Sequence, residues 1–315
     1  MTESATNLFG PVAEDLAAVE AKLRNEIASD PPEVAAPMAD LFEAGGKRIR
    51  PALVLLAASC GDYEREHVFP AAMAVEVTHA ATLVHDDVID RSPTRRGRPT
   101  VSAKLGDEPA IVIGDFYFAK AYEYAAQTRS PEVVVILADA VMKICAGEVR
   151  QQSIRYQYST GVEEYMQRIE AKTATLLAAC CDIGALLGGL SDIERGSLRA
   201  YGRLLGLAFQ IADDVLDYTA TEGEVGKPIG HDIIDGFATL PLMFASIPLV
   251  DNRRLNEDDA RRIVEAVRTS EGPHRALEQA HKHAHDARLR LESLPRSQAV
   301  DALAALTEYV VNRKL

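Results

Sequence analysis

Residues 71–90 read AAMAVEVTHAATLVHDDVID. Two stripes run through them at helical spacing. Val77, Ala80, Val84 and Val88 form an apolar one, suited to packing against other helices. His79, Thr82, Asp86 and Asp90 form the other, with Asp86 and Asp90 one turn apart. On a helix, positions i and i+4 carry Cβ atoms about 5–6 Å apart. Two carboxylates that close at a helix C-terminal end repel each other and oppose the helix dipole. A solvated helix end and a cation site are both open readings of that local cost. The chain continues RSPTRRGRPT, so Arg91, Arg95, Arg96 and Arg98 follow directly on Asp86, Asp87 and Asp90.

Helical spacing extends outward in both directions. It covers about residues 11–28, 31–44, 49–60 and 66–91, then 107–126, 131–157, 161–190 and 193–219. Further segments lie at about 238–247, 256–268 and 273–313. Turn chemistry separates them: GG at 45–46, SPT at 92–94, TEGEVGKPIG at 221–230 and EGP at 271–273. Strand-like alternation persists nowhere and no linker-like stretch divides the chain. Residues 1–315 are therefore predicted to form one all-α domain, a large helical bundle.

The composition agrees. Apolar residues make up 47% and aromatics 6%, with no Trp, and 315 residues suffice to bury a sizeable core. A net charge of −13 argues against nucleic acid and against an anionic membrane surface as general partners. It has no bearing on a small anion held in one basic cleft. Cys60, Cys145, Cys180 and Cys181 lack metal-ligand spacing, and all but Cys60 lie in helical, apolar contexts, so buried reduced thiols are expected. The opening residues, MTESATNLFGPVAEDL, are acidic and amphipathic, and no later stretch is long enough without charge to span a membrane. A cytoplasmic protein is expected.

The acidic pattern returns 127 residues downstream, where FQIADDVLDY places Asp213, Asp214 and Asp217 in the same D-D-x-x-D spacing. Gln210 lies one turn before them on the same stripe. Two copies of a costly pattern, each on a helix, point to acidic walls with a cation between them. Carboxylate oxygens with room for water and phosphate suit Mg²⁺, and no Glu-x-x-His pair of the helical di-iron kind is present. The basic side lies in GGKRIRP, residues 45–51, where Lys47, Arg48 and Arg50 lead into an apolar helix. Cations at a helix start oppose the dipole unless an anion shares the space. Guanidinium and ammonium groups together suit a diphosphate. Arg95 and Arg96 add donors, while Lys172-Thr173 in EAKTATL and Lys227 in GKPIG are single signals that an ordinary surface would also explain.

In order, GGKRIRP, HAATLVHDDVID, RRGRPT, GDFYFAKA, EAKTA, FQIADDVLD and GKPIGHD resemble the trans-isoprenyl diphosphate synthases, the polyprenyl synthetase family. The long-chain all-trans-polyprenyl diphosphate synthases are the nearest in kind, and the resemblance runs from about residue 40 to 241. It implies an isoprenoid synthase type I fold with a central active-site cavity, a homodimer, and three Mg²⁺ ions per site. Transient membrane association during product delivery is implied as well. Roles follow by position. Lys47, Arg50, His79 and Arg96 match residues that hold the diphosphate of isopentenyl diphosphate. Asp86 and Asp90 with Asp87, and Asp213 and Asp217 with Asp214, match the metal-binding acids. Arg95, Lys172, Thr173, Gln210 and Lys227 match contacts to an allylic diphosphate, whether dimethylallyl, geranyl, farnesyl or geranylgeranyl. Asp86, Asp90, Asp213, Lys172 and Arg95 are the implied catalytic set. The implied reaction is a Mg-dependent, head-to-tail, all-trans condensation.

One departure concerns the usual G-K-x-T-L-P stretch, which reads Gly236-Phe237-Ala238-Thr239-Leu240-Pro241 here. Phe237 replaces a lysine that normally helps to hold the allylic diphosphate. A class I terpene cyclase would carry N-D-x-x-S-x-x-x-E in the second motif and lack GGKRxRP; this chain has the reverse on both counts. A catalytically silent regulatory subunit would lose acids that this chain keeps. On the first acidic helix Ala74, Thr78 and Ala81 form a stripe of small residues. In the resembling family a Phe or Tyr five residues before the first aspartate floors the cavity of short-chain enzymes. With Ala81 at that position, a long-chain polyprenyl diphosphate is expected, and geranylgeranyl or farnesyl diphosphate is the alternative product.

Overall fold

A computed structural model describes residues 8–220, 230–250 and 252–312. Helix dominates them. A 3-10 turn at Gly10–Val12 leads into α1 (Ala13–Ala28), α2 (Pro32–Glu43), α3 (Ile49–Ala58) and α4 (Arg65–Ile89). After a two-stranded ladder, β1 (Thr94–Arg95) and β2 (Arg98–Pro99), come α5 (Val101–Leu105), α6 (Asp107–Gln127) and α7 (Pro131–Ser153). Next are α8 (Val162–Ile169), a π-turn at Glu170–Ala174, α9 (Thr175–Leu187) and α10 (Asp192–Thr219). The last are α11 (His231–Ile234), α12 (Leu240–Ala245), α13 (Glu257–Arg268), α14 (Gly272–Arg290) and α15 (Gln298–Asn312). No described helix is long and apolar enough to cross a membrane.

Backbone contacts gather these elements into two compact units. One comprises the described residues of Met1–Val141 with Ala179–Arg199 and Ser293–Leu303. The other comprises Met142–Ala178, the described residues of Ala200–Glu292, and those of Ala304–Leu315.

The first unit is built on α4, which packs along α6 and against α3. Every residue from Ala71 to Thr78 is buried, as is the run Ala52 to Ala58 of α3. A helix apolar all round belongs in a core. At the start of α3, Arg48 adopts a left-handed backbone with φ 50°. Its guanidinium turns inward to Glu20 at 2.8 Å, Glu76 at 2.8 Å and the Phe42 carbonyl at 3.0 Å. Removing Arg48 would strand the buried Glu76 carboxylate, so the middle cation of GGKRIRP anchors the fold. Beyond α4 the chain reverses through Arg96 (φ 51°) and Gly97 (φ +73°). Two successive left-handed residues are what a two-residue hairpin turn of matching twist requires. This ladder, two residues a side, is too short for any alternation to announce it.

The second unit has its own core around Tyr218, Ile233, Leu242 and Val264. Three local expectations need correction. The stretch 273–313 is not one helix, because a 3-10 turn at Leu291–Ser293 and the following Pro295 end α14. The stretch 161–190 is interrupted by the π-turn. Cys145 is exposed on α7, Cys60 is partly exposed, and only Cys180 and Cys181 are buried. The residues flanking Cys145 suggest a core, but α7 presents that face outward.

Candidate active site

In the first unit α4 delivers the first acidic motif at its last turn. Asp86 and Asp90 are partly exposed and lie one turn apart, with Asp90 N–H donating to the Asp86 carbonyl at 2.8 Å. Asp87, expected among the metal ligands, is turned inward instead and is 3% exposed. Arg95, expected on a diphosphate, reaches back from β1 to hold it: Nε donates to both carboxylate oxygens at 2.9 and 3.1 Å, and Nη2 lies 2.8 Å from Oδ1. A helix explains the difference, since residue i+1 points about 100° away from the face shared by i and i+4.

The basic cluster forms in the same unit. Lys47 is exposed just before α3, and Arg50 sits partly buried on its first turn. Arg50 Nε is buried with no hydrogen-bond partner among the described residues. A buried donor left unmet costs about 1–3 kcal/mol, which an incoming acceptor would recover. His79 projects from α4 into this region. Burial and the guanidiniums of Arg50, Arg96, Arg95 and Arg48 together hold its imidazole well below the ordinary value. His79 is therefore neutral at pH 7, and the field that keeps it so is one that attracts an anion.

The second unit carries the second motif on α10. Asp213 and Asp217 are partly exposed, while Asp214, also expected to ligate metal, is 4% exposed. The burial pattern thus repeats that of the first motif, outer acids outward and middle acid inward. Tyr165 Oη donates to Asp214 Oδ2 at 2.7 Å, and Gln210 Nε2 donates to Oδ1 at 2.8 Å. Burial and the charge of Asp232 push the Asp214 carboxyl well above its usual range, and these two hydrogen bonds with the Arg168 charge oppose the shift. Thr173 Oγ1 donates to Gln210 Oε1 at 2.7 Å. Thr173 and Gln210, both expected on a diphosphate, are thereby linked into one chain with Asp214 and Tyr165.

Thr173 and Lys172 sit on the π-turn, where the Thr175 N–H reaches back five residues to the Glu170 carbonyl. A π-turn re-aims side chains and is common at functional sites. Here Thr173 turns in to Gln210, while the exposed Lys172 lies 3.4 Å from Glu148. Glu148 also accepts from Gln152 Nε2 at 2.9 Å and from Gln151 Nε2 at 3.3 Å. The sequence reading missed Glu148, Gln151 and Gln152; their i, i+3, i+4 spacing in GEVRQQ at the end of α7 was the available signal. Two glycines make room for the turn. A Cβ on Gly206 of α10 would fall 2.5 Å from Ala174 Cα, and one on Gly147 of α7 would meet Ala171 Cβ. Gly206→Ala is therefore expected to cost about 1–3 kcal/mol by overpacking against backbone. A denaturant midpoint measured at constant m-value checks it.

Phe237 is buried, and two guanidiniums lie near its ring. Arg155 lies 5.8 Å and Arg168 5.4 Å from its ring centroid. The reading of one lost cation at this position is thus incomplete, because two arginines flank it. Lys227 lies outside the described residues. Ala74, Thr78 and Ala81 are all buried in α4, and Thr78 Oγ1 has no hydrogen-bond partner among the described residues.

Known proteins sharing this arrangement are numerous. The chain matches the family model described as Polyprenyl synthetase over residues 31–281. It is 35% identical over 316 aligned positions to the heptaprenyl diphosphate synthase component 2 of Geobacillus stearothermophilus, spanning 97% of this chain and 98% of that one. With the octaprenyl diphosphate synthase of Haemophilus influenzae it shares 33% identity, spanning 95% and 94% of the two chains. A solved polyprenyl synthase from Caulobacter crescentus, complexed with calcium and isoprenyl diphosphate, superposes with a TM-score of 0.94 at 35% identity. That superposition covers 100% of this chain and 99% of the other.

Proposed function

Because the chain belongs to the polyprenyl synthetase family and is a trans-prenyltransferase, we propose that it joins isopentenyl diphosphate to an allylic diphosphate, head to tail and all-trans, giving a long-chain polyprenyl diphosphate. The observation that carries this reading is the repeated acid geometry. In both motifs the i, i+4 aspartates are partly exposed and the middle acid is buried and anchored. Such pairs are hard oxygen donors. Among the described residues no group of three or more His, Cys, Asp or Glu could hold a metal ion by itself. Mg²⁺ keeps waters and shares substrate phosphates rather than filling a protein cage.

Asp86 with Asp90 and Asp213 with Asp217 would hold the metal, three ions per site in our reading. Bound Mg²⁺ would neutralise the charge growing on the leaving diphosphate. The chain's own cations divide between two substrates. Lys47, Arg50, His79 and Arg96 hold isopentenyl diphosphate; Lys172, Thr173, Gln210, Arg95 and Lys227 serve the allylic diphosphate. As the allylic C–O bond breaks, the isopentenyl double bond attacks the allylic carbon, and the departing diphosphate accepts the proton released. The allylic cation needs a site that excludes water, and the buried α4 residues Ala74, Thr78 and Ala81 would lie along the path of the tail.

Residues 1–315 acting as one domain, a homodimer, a cytoplasmic location and transient membrane contact during product delivery belong to the same proposal. The Geobacillus relative is named a component 2, so a heteromeric partner is the second reading of the assembly. Lys47→Ala and Arg50→Ala test the division of substrates. Each loses a charged contact of about 1.5–3 kcal/mol, so the KM for isopentenyl diphosphate should rise about 10- to 100-fold with the allylic KM little changed. Diphosphate release at steady state measures both. Equal effects on the two substrates would show the division to be wrong.

A further inference from the structure

Around Phe237 the second unit builds a five-rung stack of alternating rings and guanidiniums. Arg155 lies 5.4 Å from the ring centroid of Tyr156 and 5.8 Å from that of Phe237. Arg168 lies 5.4 Å from the centroids of both Phe237 and Tyr165. Each guanidinium is also tied to the backbone beside Phe237. Arg155 Nε donates to the Asp235 carbonyl at 2.6 Å, and Arg168 Nη2 donates to the Ala238 carbonyl at 2.6 Å. The order along the stack is Tyr156, Arg155, Phe237, Arg168, Tyr165.

One end and the middle of this assembly reach the second acidic motif. Tyr165, the last rung, donates to Asp214. The Phe237 N–H donates to the Asp232 carbonyl at 2.9 Å, and the Asp232 N–H approaches Asp217 Oδ2 at 3.4 Å. Resting on the function proposed above, we propose that Arg168 and Phe237 are positioning residues that set the affinity for the allylic diphosphate. They act through Tyr165 on the Asp214–Gln210–Thr173 chain and through Asp232 on Asp217. A planar guanidinium is required at 168, because an ammonium cannot stack on two rings and bond the carbonyl together. An aromatic ring is required at 237, because a third cation between two guanidiniums would be repelled. Phe237→Lys therefore weakens the allylic substrate, the reverse of what restoring the usual lysine would suggest.

The test is steady-state kinetics with farnesyl and isopentenyl diphosphates and Mg²⁺, alongside thermal melting of each variant. Arg168→Leu, Arg168→Lys and Tyr165→Phe should each raise the farnesyl diphosphate KM about 10-fold, the cost of one charged or buried hydrogen-bonded contact. The isopentenyl diphosphate KM should stay within about 2-fold. Phe237→Lys should behave alike, and Phe237→Lys combined with Arg168→Leu should cost clearly less than the two single losses together, since the two positions share a contact. If Arg168→Lys matches the wild type, or both KM values move together, or the double variant shows only the summed losses, the positioning role is overturned while the prenyltransferase reading stands. A variant that melts too early for assay is replaced by Tyr165→Phe, which removes one hydroxyl and keeps the ring. A wild type that makes no product overturns the proposed function and the inference with it.

Discussion

Asp86→Ala and Asp213→Ala are each expected to lower the condensation rate by at least about 10³-fold while the helical fold persists, in line with removing a group that meets charge developed in the transition state. Both side chains are partly exposed at helix positions, and alanine improves helix propensity slightly. Added Mg²⁺ should recover part of the binding and little of the rate. The buried acids behave otherwise. Asp87→Ala would leave the Arg95 guanidinium without its carboxylate, and the cost would appear first as lost stability. Far-UV circular dichroism with single-turnover assays separates the two classes. Near wild-type turnover in Asp86→Ala or Asp213→Ala, with an unchanged spectrum, would end the metal assignment.

Ala81→Tyr is expected to shorten the product from a long polyprenyl chain to farnesyl or geranylgeranyl length, with total isopentenyl incorporation kept. Ala81 is fully buried, one turn beyond Thr78 and two beyond Ala74 on the same stripe of α4. An isoprene unit extends by roughly one helical turn of about 5.4 Å, so one bulky ring on the stripe should remove one or two units. Burial also offers a competing outcome. If the stripe is closed packing, a tyrosine there overpacks the α4 core and costs about 1–3 kcal/mol. Chromatography of dephosphorylated products, with melting curves, distinguishes them: shorter products at near-normal stability mark a tail path. Unchanged long products with a lowered melting temperature mark packing.

Much of the molecule was legible in its residues alone. The all-α class followed from helical spacing between turn signals, and most of the longer helices lie within a few residues of where that spacing put them. The D-D-x-x-D motifs placed their outer acids on one helix face because 3.6 residues per turn is a local rule, independent of any neighbour. Glycine pairs and basic runs likewise marked where a helix had to start. The sequence could not assign partners. Arg48, Arg50 and Lys47 look equivalent in GGKRIRP, yet Arg48 is drawn in by Glu20 and Glu76, from helices 28 residues away on either side. Arg95 reads as a ligand-binding arginine, and only the structure shows that it also holds Asp87. Phe237 reads as a lost lysine until Arg155 and Arg168 appear beside its ring. Periodicity and charge density are properties of consecutive residues, and so the chain alone determined its helices and the chemistry they offer. Burial and pairing depend on which distant segments arrive alongside, and so only the tertiary structure decided which acids are buried and which arginines also hold acids within the fold.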